Sequence, residues 1–415
     1  MVLPITRLLE VVILKLVEPA MLKAPSMSLK EYIDTLGYII SKWRAPIIRV
    51  RDDWVLDEDA AVFNALAEFG VKYVPVSDTL GEAGEVSLNL LNPFHEVQGN
   101  GLRVYDSVVE LVSRNTPTPL VKLRSLSNSD VRVWAKLEWY HPFSLSIKDR
   151  VAWYMLHRFL ERGVKPAKLY EASSTNTGMA LVGLGNYHGV KTRIYLPATA
   201  QRCVDYVFKA MGAEVVREGT PITISMLSKV LVEASRDNAV VLNQFENDYN
   251  FLVHLRYTAK EIDYQLMSKG VKPSVIVAGL GTSGHLSALS FYFKNKYKSV
   301  ETIGVQSAQG SSIPGIRRVE TGVKWLHMVE VDRVVDVRLE EALTGILHVA
   351  RIDGILPGFS SGAAVYALMK LLEEGSLRGD VVVVFPDHGL KYVELLETLL
   401  AEKCVVESTP GLSRD

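Results

Sequence analysis

Lys148 lies in the stretch His141-Pro-Phe-Ser-Leu-Ser-Ile-Lys-Asp-Arg150, in the first turn of an expected helix. Alone, a lysine at a helix start is a solvated surface charge. The position has one chemical consequence. The positive end of the helix dipole disfavours the ammonium and so favours the free amine. An amine that must form an imine and later carry a proton gains from that bias. Asp149 and Arg150 continue the turn and are expected to orient it.

Three later segments supply partners for such an amine. Glu171-Ala-Ser-Ser-Thr-Asn-Thr-Gly178 offers four hydroxyls (Ser173, Ser174, Thr175, Thr177), the Asn176 amide and free backbone donors at a helix start. That set suits a substrate carboxylate, which brings no proton of its own. The plainer reading is an N-cap cluster. Gly279-Leu-Gly-Thr-Ser-Gly-His285 follows an apolar strand and opens a helix. The backbone amides of Gly281, Thr282, Ser283, Gly284 and His285 can then converge on a phosphate. The loop lacks the lysine of a nucleotide-binding loop and the glycine pattern of a dinucleotide site, so alone it is a tight turn. Pro357-Gly-Phe-Ser-Ser-Gly-Ala-Ala364 puts Ser360 before a helix expected from Ala363 onward, as a cap or as a hydroxyl facing a ring nitrogen. An imine-forming amine, an anion loop, a phosphate cup and a ring-nitrogen partner are together what pyridoxal 5′-phosphate requires. A serine cannot keep the ring nitrogen protonated as an aspartate would. The cofactor is then a weaker electron sink, and a carbanion at Cα expels a β-leaving group instead of persisting.

The elements that must hold these segments follow from periodicity. From Tyr105 the pattern alternates strand and helix. Strands are expected at Val131–Glu138, Ala167–Ala172, Thr192–Pro197, Glu214–Arg217, Ala239–Leu242, Ser274–Ala278 and Val381–Phe385. Helices are expected at Ser146–Glu161, Asn176–Tyr187, Thr199–Met211, Ile222–Arg236 and Asn250–Met267. Such alternation with apolar strands predicts parallel sheets covered on both faces, with sites at the carboxyl ends of strands. All three segments fall at strand-to-helix turns. Residues 1–100 read as a separate α/β extension for packing or dimerisation. Its expected helices are Arg7–Val17, Ser28–Trp43 and one capped by Asp57 and closed by Gly70; its strands are Pro46–Val50 and Val71–Pro75. Glu82–Gly101 carries turn residues and reads as a linker.

Composition narrows the class. The 415 residues are 48% apolar and 22% charged with a net charge of −1, which fits a globular enzyme and gives no nucleic-acid footprint. No uncharged apolar run reaches the ~18 residues of a membrane span. Glu10 and Lys15 interrupt the apolar run Leu8–Val17, and no small-residue cleavage site follows, which argues against a signal peptide. Two cysteines, Cys203 and Cys404, make neither a disulfide framework nor a zinc site, so the expected setting is the reducing cytoplasm. Nine histidines without ligand spacing predict no metal.

Taken together and in this order, the four segments resemble the cysteine synthase family of fold type II pyridoxal phosphate enzymes, which also includes cystathionine β-synthase. The likeness runs from Thr116 to Tyr392 and starts at Asn115-Thr-Pro-Thr-Pro-Leu120. It implies a tryptophan synthase β-like α/β fold of two parallel-sheet, three-layer domains. The larger, cofactor-binding domain would be 101–140 with 241–400, the smaller mobile domain 141–240, and 401–415 a tail. It makes Lys148 the Schiff-base lysine and Asn176 the partner of the cofactor's 3′-oxygen. Gly281, Thr282, Ser283, Gly284 and His285 become the phosphate cup, and Ser360 the ring-nitrogen partner. Ser173, Ser174, Thr175, Thr177 and Gln244 become the carboxylate site. Two positions depart from the family pattern: Thr175 stands where glycine is usual, and His285 where threonine is usual.

Within the family the likeness is closest to the archaeal O-phosphoserine sulfhydrylases, through the N-terminal extension, the Ser-Ser-Thr-Asn-Thr-Gly loop and Ser312-Ile-Pro-Gly-Ile-Arg-Arg318. A guanidinium matches the oxygens of a phosphate leaving group, and an acetyl group would need none. Arg317 or Arg318 would serve, with Arg318 preferred. The activity implied is β-replacement through an aminoacrylate, making L-cysteine from O-phospho-L-serine, or also O-acetyl-L-serine, and sulfide in a homodimer. Cystathionine β-synthase or serine/threonine dehydratase chemistry is the alternative on the same fold. A non-catalytic regulatory relative is the alternative of a different class.

Overall fold

A computed structural model describes residues 15–51, 53–77, 84–98, 103–114 and 117–407. The chain divides into residues 1–96 with 294–298, and the remainder.

The first unit contains β1 (Lys15–Val17), α1 (Leu29–Lys42), β2 (Arg44–Pro46), β3 (Ile48–Arg51), β4 (Trp54–Val55), α2 (Ala60–Phe69), β5 (Val74–Ser77) and β6 (Glu85–Ser87). Its four-stranded sheet has the order β1-β5-β3-β4. Three sequence expectations change here. Residues 15–17, expected to end a helix, form a strand antiparallel to β5, because pairing along β5 satisfies their backbone groups; residues 7–14 lie outside the described residues. Asp57 does not cap α2. The carboxylate at its start is Asp59, and it grips Arg49 through the backbone N–H (2.8 Å), Nε (2.8 Å) and Nη2 (3.0 Å). Residues 84–98 of the expected linker are structured: β6 pairs with β2, and Leu88, Leu91 and Phe94 are buried; 82–83 and 99–101 lie outside the described residues. α1 begins on a Ser28–Glu31 capping box, which satisfies two N-terminal amides reciprocally.

The second unit contains α3 (Val108–Arg114), β7 (Leu120–Lys122), β8 (Val131–Leu137), α4 (Lys148–Leu160), β9 (Lys168–Ala172), α5 (Asn176–His188), β10 (Lys191–Leu196), α6 (Cys203–Ala210), β11 (Glu214–Arg217) and α7 (Leu227–Arg236). It continues through α8 (Tyr249–Val253), α9 (Lys260–Ser268), β12 (Pro273–Gly279), α10 (Gly284–Tyr297, of which 294–297 are counted with the first unit), β13 (Glu301–Ser307), β14 (Arg333–Val337), α11 (Leu339–Asp353), α12 (Phe359–Glu373), β15 (Gly379–Phe385) and α13 (Val393–Glu407).

Six strands in the order β14-β13-β12-β15-β8-β7 form one sheet, parallel except for β7 at the edge. Val275, Val277, Val381 and Val383 pack against α11 and α12, while the alternating Ile276, Ala278, Val382 and Val384 are equally buried. Both faces are therefore covered, which is why these strands read as continuous apolar runs. A second parallel sheet, β11-β10-β9, packs Tyr170 and Tyr195 against α7 on one face, and Ile194 and Leu196 against α5 and α6 on the other.

The strand expected at Ala239–Leu242 shrinks to one bridge, Leu169 to Val240, because Asn238 and Asn243 on either side adopt positive φ (50° and 56°) and turn the chain away. The helix expected over Asn250–Met267 carries a π-helical insert, His254–Ala259, of the kind that often marks a functional site.

Candidate functional site

Lys148 is the first residue of α4 and is half-buried. Its stretch is pinned to the end of β15: the Ile147 N–H donates to the Pro386 carbonyl (2.9 Å), and Ser146 bridges Asp387. The Lys148 N–H donates to Ser146 Oγ (3.2 Å), and among the described residues nothing pairs with its Nζ. Burial draws the amine down to about 8, while the Asp387 charge pulls it back up. Desolvation thus does most of what the sequence assigned to the helix dipole.

The two residues after Lys148 do different work from the orienting role expected of them. The buried Asp149 caps the preceding loop, accepting from the Phe143 N–H (2.7 Å), the Ser144 N–H (2.8 Å) and the Ser144 hydroxyl. Arg150 runs under the site and forks between two buried carboxylates, with Nε 2.6 Å from Glu138 and Nη1 2.6 Å from Glu261. Lys136 Nζ completes the network at 2.8 Å from Glu261. Burial alone would raise the Glu138 carboxyl, but Arg150 and His141 hold it well below the usual range.

At the carboxyl end of β12 the chain enters the glycine loop. A Cβ on Gly281 would lie 2.8 Å from the Gly315 carbonyl, and one on Gly284 2.5 Å from Asn250 Oδ1, so both positions need glycine. Ser283 takes φ 70°, which curls the loop into a concavity. The Ser287 N–H donates to the Ser283 carbonyl, leaving the amides ahead of it to line that concavity. Thr282 Oγ1 accepts from Asn250 Nδ2 (2.8 Å), which also donates to the Gln244 carbonyl (2.7 Å), so the loop and the Gln244 turn move as one. His285 is buried with both ring nitrogens unpartnered, its ring edge-on to His254 at 5.9 Å. Burial and the Lys148 charge hold His285 down to about 3, so it is a neutral imidazole with one N–H to give.

After β9 the hydroxyl-rich loop is partly occupied by its own bonds. Ser173 Oγ accepts from the N–H groups of Gly178 (2.9 Å) and Thr175 (3.2 Å). The Thr175 hydroxyl turns to the Ser174 carbonyl. Thr177 Oγ1 donates to Gln244 Oε1 (2.6 Å), and Gln244 Nε2 donates to the Ala172 carbonyl (3.1 Å), which joins two segments far apart in sequence. Asn176 donates from Nδ2 to Asp387 (2.7 Å) and accepts at Oδ1 from Lys391 (2.5 Å). Ser360 is not a cap. α12 starts earlier than expected, with Gly358 as N-cap, and Ser360 is its second residue, beside the Gly279 backbone.

The two arginines separate. Arg318 is committed elsewhere, to the Ser307 carbonyl (2.7 Å), Glu320 (2.8 Å) and Asp336 (3.4 Å). Arg317 lies beside the glycine loop, its N–H on the Leu280 carbonyl (2.5 Å) and its guanidinium 5.4 Å from the Phe245 ring. It bonds only neutral groups of Thr321 and Gly322 among the described residues, and burial lowers its pKa. Arg318, preferred from the sequence, therefore points away from the glycine loop, and Arg317 lies beside it. Sequence reasoning passed over Asp387, which touches Asn176 and influences Lys148. Its signal was its place at the carboxyl end of a central strand.

This set fits pyridoxal phosphate on observations of the structure itself: an unpaired lysine amine, a concavity of free amides closed by two obligatory glycines, and an imidazole with both nitrogens buried and unpartnered. Among the described residues there is no group of metal-ligating side chains, and no helix is long and apolar enough to cross a membrane.

Comparison with known proteins gives the same answer. The family profile described as "Pyridoxal-phosphate dependent enzyme" matches residues 112–387. A cysteine synthase of Aquifex aeolicus is 34% identical over 304 residues, 69% of this chain and 90% of the relative. Cysteine synthase B of Pseudomonas aeruginosa is 35% identical over 301 residues, 70% of this chain and 96% of the relative. The crystal structure of O-acetyl serine sulfhydrylase isoform 3 from Entamoeba histolytica superposes with a TM-score of 0.60 at 27% identity, covering 72% of this chain and 92% of that one. The chain belongs to the pyridoxal phosphate-dependent enzymes of fold type II, on the cysteine synthase branch.

Proposed function

We propose that the enzyme makes L-cysteine by β-replacement, taking sulfide and an O-substituted serine, and that the serine carries an O-phosphoryl group. Lys148 would hold pyridoxal phosphate through its amine, and the bound cofactor would supply the electron withdrawal that acidifies the substrate Cα. Lys148, with an amine near 8, takes that proton close to neutral pH and returns it after sulfide has added. The exposed Ser174, the free amides at the start of α5 and the Gln244–Thr177 pair receive the α-carboxylate. Ser360 would offer the ring nitrogen a neutral hydroxyl and no charge, which would favour loss of the β-substituent.

The observation that supports O-phosphoserine is Arg317. It is a half-buried guanidinium beside the glycine loop and Phe245; among the described residues its side-chain hydrogen bonds go to neutral groups of Thr321 and Gly322, and the Glu246 charge bears on it. A cation so placed draws out a dianionic leaving group and has nothing to offer an acetyl group. Steady-state kinetics of Arg317→Ala and Arg318→Ala with both substrates test this. Losing a buried charge partner costs about 2–5 kcal/mol, or roughly 30- to several thousand-fold in kcat/KM. We expect that loss for O-phosphoserine in Arg317→Ala, with O-acetylserine changed by only a few-fold and Arg318→Ala close to wild type. Equal losses for both substrates would move the function to another O-substituted serine.

A further inference from the structure

Asp387 follows β15 and is only 1% exposed. Its backbone bridges Ser146, two residues before Lys148, and its carbonyl accepts from the Gly358 N–H (3.0 Å), two residues before Ser360. One carboxylate therefore sits between the segments that present the amine and the hydroxyl. Oδ2 accepts from Asn176 Nδ2 (2.7 Å) and from the Tyr392 hydroxyl. Among the described residues Oδ1 has no hydrogen-bond partner, and it fills the space where a Cβ on Gly358 would lie. A buried anion left half-satisfied is costly unless a cation shares its surroundings.

The groups that feel this carboxylate are Lys148, Lys391, His388 and Tyr392. Lys391 Nζ stands 3.8 Å away and spends its bonds on Asn176 Oδ1 and the Ser144 carbonyl (2.5 Å each). On the other side, His254 and His285 feel the Lys148 charge, and burial keeps both histidines neutral.

Asn176 is thus held between an anion and a cation. Reversing its amide would set oxygen against carboxylate and NH2 against ammonium, so its orientation is locked. Asn176 Nδ2 gives a hydrogen to Asp387, and the amide also bears on the Tyr392 hydroxyl. We propose that Asp387 is a positioning residue of the cofactor site: it locks the orientation of the Asn176 amide there, and its charge stabilises the protonated form of the nitrogen that Lys148 contributes. This rests on the reading of Lys148 and Asn176 given above.

The test is a pH titration of the visible absorbance of the purified holoenzyme, with cofactor affinity measured by fluorescence. Lys148→Ala comes first. If it keeps the wild-type band, the Lys148 reading itself fails. If the band is lost, Asp387→Asn, which keeps an oxygen for Asn176 but removes the charge, should move the titration midpoint down by about one pH unit or more, a tenfold change in proton affinity. Lys391→Met, which leaves the carboxylate less neutralised, should move it up by roughly half a unit. A merely structural Asp387 would alter stability and leave both midpoints in place. Unmoved midpoints in folded, cofactor-bound variants overturn the proposal, and the Lys391→Met shift decides it if Asp387→Asn does not fold.

Discussion

The Lys148 amine makes the sharpest quantitative demand on this site. Burial takes it from an ordinary 10.5 to about 8, a difference of roughly 3 kcal/mol between its two protonation states. At pH 7 about one amine in ten is then neutral, against about one in three thousand for an ordinary lysine. Imine formation needs the neutral amine. Apoenzyme mixed with pyridoxal phosphate should therefore load at a rate that climbs about tenfold per pH unit between ~6 and ~8 and flattens above ~8. Stopped-flow absorbance measures this directly. A rate that climbs without a break to pH ~10 would refute the desolvated amine. The same shift has a signed effect on stability. The folded amine is depressed and the unfolded one is ordinary, so between about 8 and 10.5 the unfolded chain binds the extra proton. Apoprotein stability should rise with pH across that window, and the burial cost should be felt in full below about 8. Lys148→Met lacks the term, so its difference from wild type should narrow over the window.

Two further outcomes follow from packing. Gly281→Ala places a methyl 2.8 Å from the Gly315 carbonyl, and backbone yields poorly. Displacing the loop by about 1–3 kcal/mol should weaken pyridoxal phosphate binding roughly tenfold or more in a fluorescence titration, and unchanged affinity would mean the loop does not hold the phosphate. Arg150→Met leaves Glu138 without its guanidinium and Glu261 with Lys136 alone. Urea unfolding of the apoprotein should show a loss of about 3–5 kcal/mol, and a loss below ~1 kcal/mol would mean the network is far better solvated than its burial implies.

What could be read from the chain beforehand tracks how local its cause is. Strands such as Val275–Ala278 and Val381–Phe385 announce themselves because both faces are buried and every residue is apolar. Where pairing with a distant segment decides, the reading fails: residues 15–17 are a strand because β5, some sixty residues later, completes their hydrogen bonds. The Ala239–Leu242 stretch has strand composition, but two left-handed asparagines cut it to a single bridge. Asp57 is the expected cap of α2, yet neither it nor Asp59 caps the helix through its side chain, and the Asp59 carboxylate goes to Arg49, ten residues earlier.

The site divides along the same line. A phosphate concavity is built from consecutive residues, so Gly281 to His285 carries its own signature, and the two glycines are those whose side chains would collide. Arg317 and Arg318 are adjacent and chemically identical, and only the direction of the turn sends one to Asp336 and Glu320 and the other to the glycine loop. The charges beneath the site are still less visible. Arg150 and Glu261 meet across 111 positions and Lys136 and Glu261 across 125, so in sequence each is one more surface charge. Asp387 belongs with them. Its effect depends on Asn176, 211 positions away, and on the lysine whose stretch it bridges. Local motifs therefore point to the groups proposed to face the cofactor, while the buried charges around them are scattered through the chain. Such residues are found by asking what each buried charge faces once the strands have brought their carboxyl ends together.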